Sequence, residues 1–439
     1  MGATRLSGGA RALTLEIAAE ARAEWGFATD LIARAFRAHR ELSSGDRRLC
    51  SETVYGLIRM DRRLDAILEE VAGDIPLPPH ARDELKLLVF EARQGIPLEA
   101  LAADVKRLGR GPIDLGRALG DEAGLGDRRG LEREAVRLSY PTWLIEMLVE
   151  DLGEAEGLAV AEAMNQRAPL ALRANTARAS REELAARLAD EQVVTRPTEL
   201  SPVGLVCETR VNAFALSAFR DGLYEVMDEG SQLVAEVVAP PPGGRVVDAC
   251  AGAGGKTLAL GAALANKGRL LALDTDGKKL EELRRRARRA GLTNVEARPL
   301  SADPTDVARK VKGTFDRVLV DAPCSGLGTL RRNPEARWRL TRATVESFPA
   351  RQVALMVTYA PLVAVGGRLI YATCTLARTE NERVVEKFLA ERDDFVPVPV
   401  KEIWGRARAE RLGDGMTLRL LPNRHDTDGF FAAVLRRVR

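Results

Sequence analysis

From Ala12 to about Ala118, apolar residues return every three or four positions: Leu64, Ile67, Leu68 and Val71 form one such set, and Leu85, Leu88, Val89 and Ala92 another. A period near 3.6 gives each helix one apolar stripe to bury, so this region is predicted to be an all-α domain. The run LGDEAGLGDRRG, Leu119–Gly130, breaks the pattern with glycine and charge and is expected to be a linker or exposed loop. Between about Arg133 and Asp228 the signals mix. PTWLIEMLVEDL reads as a helix, PLALRAN as a strand, and ASREELAARLADE as a helix opened by Ser180 with Glu183 three residues on, a capping box. A small α+β module is the simplest reading.

From Glu229 onward the short apolar runs RVVDA, RLLALD, VEARPL, DRVLVDA and RLIYAT alternate with helical segments such as GKKLEELRRRARRAG. That alternation predicts a parallel sheet with crossover helices on both faces, and GFFAAVLRRV adds a last strand. The expected boundaries are therefore 1–130, 131–228 and 229–439.

Composition narrows the class. With 439 residues, 46% of them hydrophobic, the chain can bury two or three separate cores, which excludes a disordered or collagen-like protein. Lys and Arg number 66 against 63 Asp and Glu, so any surface for a polyanion has to come from local clustering of Arg. No run of about 18 apolar residues occurs, and the start MGATRLSGGARAL lacks the apolar core of a signal peptide, so a cytoplasmic protein with no membrane partner is expected. Cys50, Cys207, Cys250, Cys324 and Cys374 lie far apart with no CxxC pair, which argues against a zinc site or a disulfide framework; no metal is expected.

The run RVVDACAGAGGKT reads as a strand, a glycine turn from Gly252 to Gly255, and a helix starting near Lys256. Such a turn brings backbone N–H groups up to a ligand at the strand's carboxyl end. Asp274 ends the next strand about twenty residues after Gly254, where a carboxylate can hold both hydroxyls of a ribose. The spacing does not fit a phosphate-binding P-loop. A nicotinamide cofactor is weighed against by Asp248, which would repel a pyrophosphate but can hold an ammonium group; S-adenosylmethionine fits better. Asp303, in LSADPTD, has two readings: acceptor for an adenine amino group, or cap of a loop turn.

Ligands of open α/β sheets lie outside the carboxyl ends of the strands, where Asp321 and Cys324 of DAPCSG and Cys374 of YATCTL should fall. Cys50 and Cys207 read as small buried hydrophobes and Cys250 as a wall of the glycine turn. A thiolate favoured by Lys256, an acid and a methyl donor suggest one reaction. The thiolate adds to carbon 6 of a pyrimidine, carbon 5 takes the methyl group, and loss of the carbon-5 proton expels the thiol.

DACAGAGGKT, DAPCSGLGTLRRNPEARW, YATCTLARTENE and LPNRHDTDGFF resemble, in order, the signature blocks of the RNA (cytosine-5)-methyltransferases of the Nol/Nop/Sun (NSUN) type, from Asp228 to the C-terminus. The resemblance implies a Rossmann-like methyltransferase domain with a mostly parallel seven-stranded sheet. It makes Cys374 the nucleophile, Cys324 the residue that assists product release, Asp321 the partner of the cytosine amino edge, and Lys256 the group that positions and protonates the ring. In the cofactor site it sets Cys250, Ala251, Gly252, Ala253, Gly254, Gly255 and Lys256 around the methionine part, Asp274 at the ribose, Asp303 at the adenine, and Asp321 nearby. Two positions depart from the pattern: Ala253 replaces a usual Pro, and Asp426 stands where Gly is common.

GDRRLCSETVYGLIRMDRRLDAIL resembles the NusB-like helical RNA-binding domain of the bacterial RsmB (Sun, Fmu) type, and SYPTWLIEMLVEDLG with LALRAN resembles its small RRM-like module. This implies a monomer acting on 16S rRNA or a small-subunit precursor. Arg47 and Arg48, with Arg59, Arg62 and Arg63, form a basic cluster that could contact phosphates or could be a solvated helix face. Arg331, Arg332, Arg337 and Trp338 lie just beyond the catalytic loop, where cations and a ring could flank an unpaired base. The rival readings are the same chemistry on tRNA, a DNA enzyme in which Cys324 and Cys374 swap roles, and a non-catalytic RNA-binding ribosome-assembly factor.

Overall fold

The computed structural model describes residues 4–73, 78–108, 113–300 and 313–439. The chain forms two compact units: Met1–Gln166 with Leu330–Arg342, and Arg167–Thr329 with Ala343–Arg439. They part at residue 166, whereas the sequence pattern suggests breaks at 130 and 228.

The first unit is helical, with six helices between Gly8 and Leu108 and three more at Gly130–Leu138, Thr142–Leu152 and Glu154–Ala163. Leu64, Ile67, Leu85 and Leu88 of the predicted stripes make its core together with Leu13, Ile17, Val54 and Ile58. The segment 119–130 is mostly the expected exposed loop, but Ala123, Gly124 and Leu125 turn inward. Ala123 and Leu125 are buried, the Gly124 N–H donates to Glu70 at 2.6 Å, and Arg63 donates to the Asp121 carbonyl at 2.6 Å. A Cβ on Gly124 would stand 2.6 Å from the Ile67 nitrogen, so glycine here permits close backbone approach.

The second unit holds two sheets. The strands β1 (Ala171–Ala174), β2 (Thr195–Pro197), β3 (Gly204–Cys207) and β4 (Tyr224–Val226) pair antiparallel in the order β2-β3-β1-β4. The accompanying helix Arg181–Asp190 opens with the predicted capping box: Ser180 Oγ accepts from Glu183 N–H, and the Glu183 carboxylate from Ser180 N–H.

The larger sheet contains β5 (Arg245–Asp248), β6 (Arg269–Asp274), β7 (Val295–Pro299), β8 (Phe315–Asp321), β9 (Val363–Thr373), β10 (Phe395–Pro397), β11 (Leu418–Leu420) and β12 (Phe430–Arg437). Their order is β10-β12-β9-β8-β5-β6-β7, with β11 added on β12. β5 through β9 pair in parallel, and β12 returns antiparallel on β9, so the expected seven strands gain a short eighth. Successive residues feed opposite layers: Val246, Leu270, Leu319 and Ile370 pack on one face, and Val247, Leu271, Val318 and Leu369 on the other. The strand order reverses between β5 and β8, and open α/β sheets hold their ligands outside the strand carboxyl ends at such a switch point. Among the described residues no helix is long and apolar enough to cross a membrane.

Candidate active site

The glycine turn links β5 directly to the helix Gly255–Ala263. Gly252 (φ +52°) and Gly254 (φ +91°) adopt left-handed backbone, and a Cβ on Gly254 would strike Leu283 at 2.6 Å. Nothing lies within 4 Å of a Cβ position on Gly252 or Gly255, so the outer rim of the turn is open. Asp274 borders it: Oδ2 accepts from the Gly252 N–H and Oδ1 from the Asp276 N–H, both at 2.8 Å. Each oxygen retains a lone pair for a hydroxyl. Ala251 bonds back to the Leu273 carbonyl, and the Ala253 carbonyl accepts from Arg286 at 2.7 Å.

Asp248 is buried; Oδ2 accepts from the Thr257 hydroxyl at 2.7 Å while Oδ1 has no hydrogen-bond partner. Burial pushes its carboxyl up to about 7, with the Thr257 bond opposing. A buried acceptor of this kind calls for a cation. Asp248 is thus a residue that could hold the ammonium group of S-adenosylmethionine, and the open rim and the lone pairs of Asp274 leave room for the rest of that cofactor. Burial, reinforced by Asp248, Asp321 and Asp274, pushes the Cys250 thiol well up, so it stands as a neutral wall. Asp303 lies outside the described residues.

Beside the turn, β8 ends at Asp321 opposite Ala372 of β9, which brings the two cysteine-bearing loops together. Lys256, in the first turn of its helix, donates to Asp321 Oδ2 at 2.7 Å and stands 5.5 Å from the Phe430 ring. Burial alone would lower the Lys256 pKa; the charge and hydrogen bond of Asp321 outweigh it and raise the value, so the ammonium form persists. The thiols of Cys324 and Cys374 lie 3.4 Å apart. The hydrogen bond with Cys374, then burial, then the Cys374 charge raise Cys324 well above the usual thiol range, so Cys324 stays a neutral thiol; either sulfur can be the donor in this contact. Cys50 is buried in the helical core and Cys207 sits in β3.

The structure adds residues that sequence reasoning leaves unassigned. Buried Glu380 and Asn381 stand behind the two loops, and Gln352 joins them from the helix Arg342–Tyr359. Asn381 Oδ1 accepts from Thr373 Oγ1 at 2.6 Å and its Nδ2 donates to the Thr375 carbonyl at 3.1 Å, bracketing Cys374. The signal for both lies in the TENE end of the Cys374 block.

Two of the residues expected beside an RNA base, Arg331 and Arg337, are corrected because they are buried, while Trp338 is half-buried. Arg331, Arg337 and Trp338 belong to the segment that completes the helical unit. Arg337 is wholly buried; it donates to the Ser139 carbonyl at 3.1 Å and Asn165 Oδ1 at 2.8 Å and lies 3.9 Å from the Tyr140 ring. Trp338 donates to the Ile58 carbonyl at 2.8 Å and packs 5.6 Å from Trp25. Arg331 is 5% exposed, and Arg332 is half-buried. The reason is local: Arg337 Nη1 and Trp338 Nε1 find acceptors inside the helical unit and the Arg337 guanidinium faces the Tyr140 ring, although Arg337 Nε and Nη2 have no hydrogen-bond partner. Arg47 likewise donates to the Leu42 and His39 carbonyls, both at 3.1 Å, while Arg48 is exposed. Of their neighbours, Arg62 donates to the Tyr140 carbonyl at 2.6 Å and Arg63 is buried.

A doubly covered parallel sheet with a glycine turn, a ribose-type carboxylate and an unpaired buried acid at its switch point defines an S-adenosylmethionine-dependent methyltransferase. Residues 235–436 match the family model described as 16S rRNA methyltransferase RsmB/F, and residues 140–213 match the RsmF/B-like ferredoxin-like domain. The probable ribosomal RNA small subunit methyltransferase B of Synechocystis sp. is 35% identical, covering 92% of this chain and 94% of its own. Ribosomal RNA small subunit methyltransferase B of Xanthomonas campestris is 32% identical over 89% of each chain. The solved structure of PH0851, 28% identical, superposes with a TM-score of 0.79 over the whole of both chains. The chain belongs to the RsmB/F family of rRNA small-subunit methyltransferases. The four-stranded sheet is accordingly its ferredoxin-like domain.

Proposed function

We propose that the protein methylates carbon 5 of a cytosine in 16S rRNA through a covalent bond between Cys374 and the base. The observation that carries this reading is the pair of thiols 3.4 Å apart at the ends of neighbouring strands, with the Lys256–Asp321 ion pair set beside them. A single thiol would serve as well for packing; two at hydrogen-bond distance in the cofactor crevice allow one to attack while the other manages the proton.

In this reading the Cys374 thiolate attacks carbon 6, and the electron pair displaced from the carbon 5–carbon 6 bond makes carbon 5 nucleophilic. Lys256, an ammonium whose pKa is also raised by the Cys374 charge, neutralises the ring as it becomes electron-rich, and Asp321 accepts from the amino edge. The bound cofactor supplies an electrophilic methyl group. Loss of the carbon-5 proton to a solvent base then re-forms the double bond and expels Cys374 as a thiolate, and the neutral Cys324 thiol beside it assists that release by donating a hydrogen bond to the departing sulfur. The helical first unit would serve as a NusB-like RNA-binding domain, with exposed Arg48 as one phosphate contact.

The test is a pair of variants incubated with 16S rRNA and cofactor. Cys324→Ala should accumulate a protein–RNA adduct that survives denaturing electrophoresis, and Cys374→Ala should form none. The opposite pattern would exchange the roles of the two thiols, and methylation by Cys374→Ala at the wild-type rate would sink the covalent route. Mapping 5-methylcytosine on the product RNA tests the target atom.

A further inference from the structure

Glu380 is a carboxylate with no exposure to solvent, and its oxygens are fully engaged. Oε2 accepts from the Ser325 N–H at 2.9 Å and from Gln352 Nε2 at 2.9 Å; Oε1 accepts from Ser325 Oγ at 2.5 Å and Thr375 Oγ1 at 3.1 Å. Ser325 is the residue after Cys324, and Thr375 is the residue after Cys374. The two hydroxyls are themselves 2.8 Å apart, and Gln352 Nε2 also donates to the Pro323 carbonyl at 3.1 Å, one residue before Cys324. The Glu380 backbone is fixed in turn by the Tyr371 hydroxyl, which donates to its carbonyl at 2.5 Å.

We infer that Glu380 is a positioning residue whose carboxyl group clamps the residue following each cysteine, and so sets the distance between the two thiols. The inference rests on the proposed two-cysteine chemistry for its functional meaning, although the clamp itself is a matter of loop geometry. A carboxyl group suits the site because four groups reach its two oxygens and each oxygen can accept twice; the Ser325 and Thr375 hydroxyls, 2.8 Å apart, can also accept. Asp, one methylene shorter, would not span both loops. Gln can be seated one way round: its NH2 at the Oε1 position meets two hydroxyls able to accept, whereas at the Oε2 position it would face an N–H and an NH2. Glu380→Gln should therefore retain part of the function that Glu380→Ala loses. Misplacing a reacting group by about 1 Å costs on the order of 10²-fold in rate.

The experiment compares wild-type enzyme with Glu380→Ala, Glu380→Gln and Thr375→Ala. Folding is monitored by thermal midpoint and cofactor binding, thiol proximity by the rate at which diamide joins Cys324 to Cys374, and function by kcat and KM for 16S rRNA. In the proximity assay the two thiols each lose a proton and one electron as the S–S bond forms, and the diazene is reduced to a hydrazine. Glu380→Ala should bind cofactor like wild type, cross-link at least about tenfold more slowly, and lose about 10²-fold in kcat with KM for RNA little changed. Glu380→Gln should fall between the two, and Thr375→Ala, which removes one donor while leaving the carboxylate otherwise bonded, should shift both rates the same way by less. Cross-linking and kcat at wild-type values in Glu380→Ala, or in Thr375→Ala if the first variant does not fold, would overturn the clamp. If Glu380→Ala slows the cross-link while Cys374→Ala still methylates RNA, the clamp stands and the nucleophile assignment falls.

Discussion

Asp248 sets a pH dependence that a single residue can reveal. In the folded protein its carboxyl sits at about 7, raised by burial from an ordinary value of 3.8. Between about pH 4 and pH 7 the unfolded chain therefore has this group ionised while the folded chain must hold it protonated, so folding takes up a proton and stability falls as pH rises through that window. Above about pH 7 the penalty is constant, on the order of a few kcal/mol. Asp248→Asn, which can still accept from Thr257, is expected to melt higher than wild type without cofactor, by a margin that grows from pH 4 to pH 7 and then levels. Saturating S-adenosylmethionine should narrow the margin, because its ammonium favours the ionised carboxylate; thermal midpoints from pH 4 to 9 with and without cofactor check both statements. The residues of the crevice that the sequence marks are those adjacent to strand ends: Asp248, Asp274, Asp321, Cys324, Cys374. Glu380 lies in the TENE run of the Cys374 block, but its bond to Ser325, 55 residues away along the chain, cannot be read from that local pattern. Arg337 fails for the converse reason: an Arg beside a catalytic loop looks cationic and exposed until the Ser139 carbonyl and the Tyr140 ring are brought to it by the fold.

At the scale of elements, the parallel strands were legible because each is a short apolar run between helical stretches, and both faces are covered. The short β2, β10 and β11, of three residues each, carry no such signal and exist through pairing with longer neighbours. The segment 119–130 is mostly an exposed loop, as its glycine and charge suggest; only Ala123, Gly124 and Leu125 turn inward, where Gly124 allows close packing without side-chain volume. The same device joins the active-site loops. The one-turn helix Leu327–Thr329 lies against the end of β9 and the start of β12: the Gly328 N–H donates to the Cys374 carbonyl at 2.9 Å, and the Gly429 N–H donates to the Gly328 carbonyl at 2.8 Å. A Cβ on Gly328 would stand 2.1 Å from the Gly429 oxygen and 2.8 Å from the Cys374 oxygen. Neither contact can relax without moving backbone, so Gly328→Ala is expected to cost about 1–3 kcal/mol of stability. The same shift displaces the Cys374 backbone. A denaturant titration with a parallel methylation assay would show both losses, and wild-type behaviour in both would mean the loops can yield.

For the molecule as a whole, the helical unit is not continuous in sequence. Its core is laid down by Met1–Gln166, yet Leu330–Arg342 belongs to it too. That segment supplies a buried guanidinium to the Ser139 carbonyl and to Asn165, and an indole that closes on Trp25 and the Ile58 carbonyl. A break placed by periodicity alone cannot anticipate such a return, because thirteen residues with one short helix do not look like part of an all-α domain. A fragment ending at Gln166 would leave the Ser139 carbonyl and the Asn165 side chain without those donors, at about 1–3 kcal/mol for each group that stays buried. It would also uncover the face of Trp25 that Trp338 covers. The expected result is a fragment that melts several degrees lower and less cooperatively than the same fragment carrying residues 330–342 on a flexible Gly/Ser linker. Arg337→Ala within the linked form should lose most of that gain, since the indole alone cannot satisfy the Ser139 carbonyl. Equal midpoints for the two fragments would show that the returning segment contributes nothing to the helical core. A restored midpoint would make residues 330–342 part of the helical domain's own folding unit, and a substitution there would then act on that domain first and on the methyl-transfer site only through it.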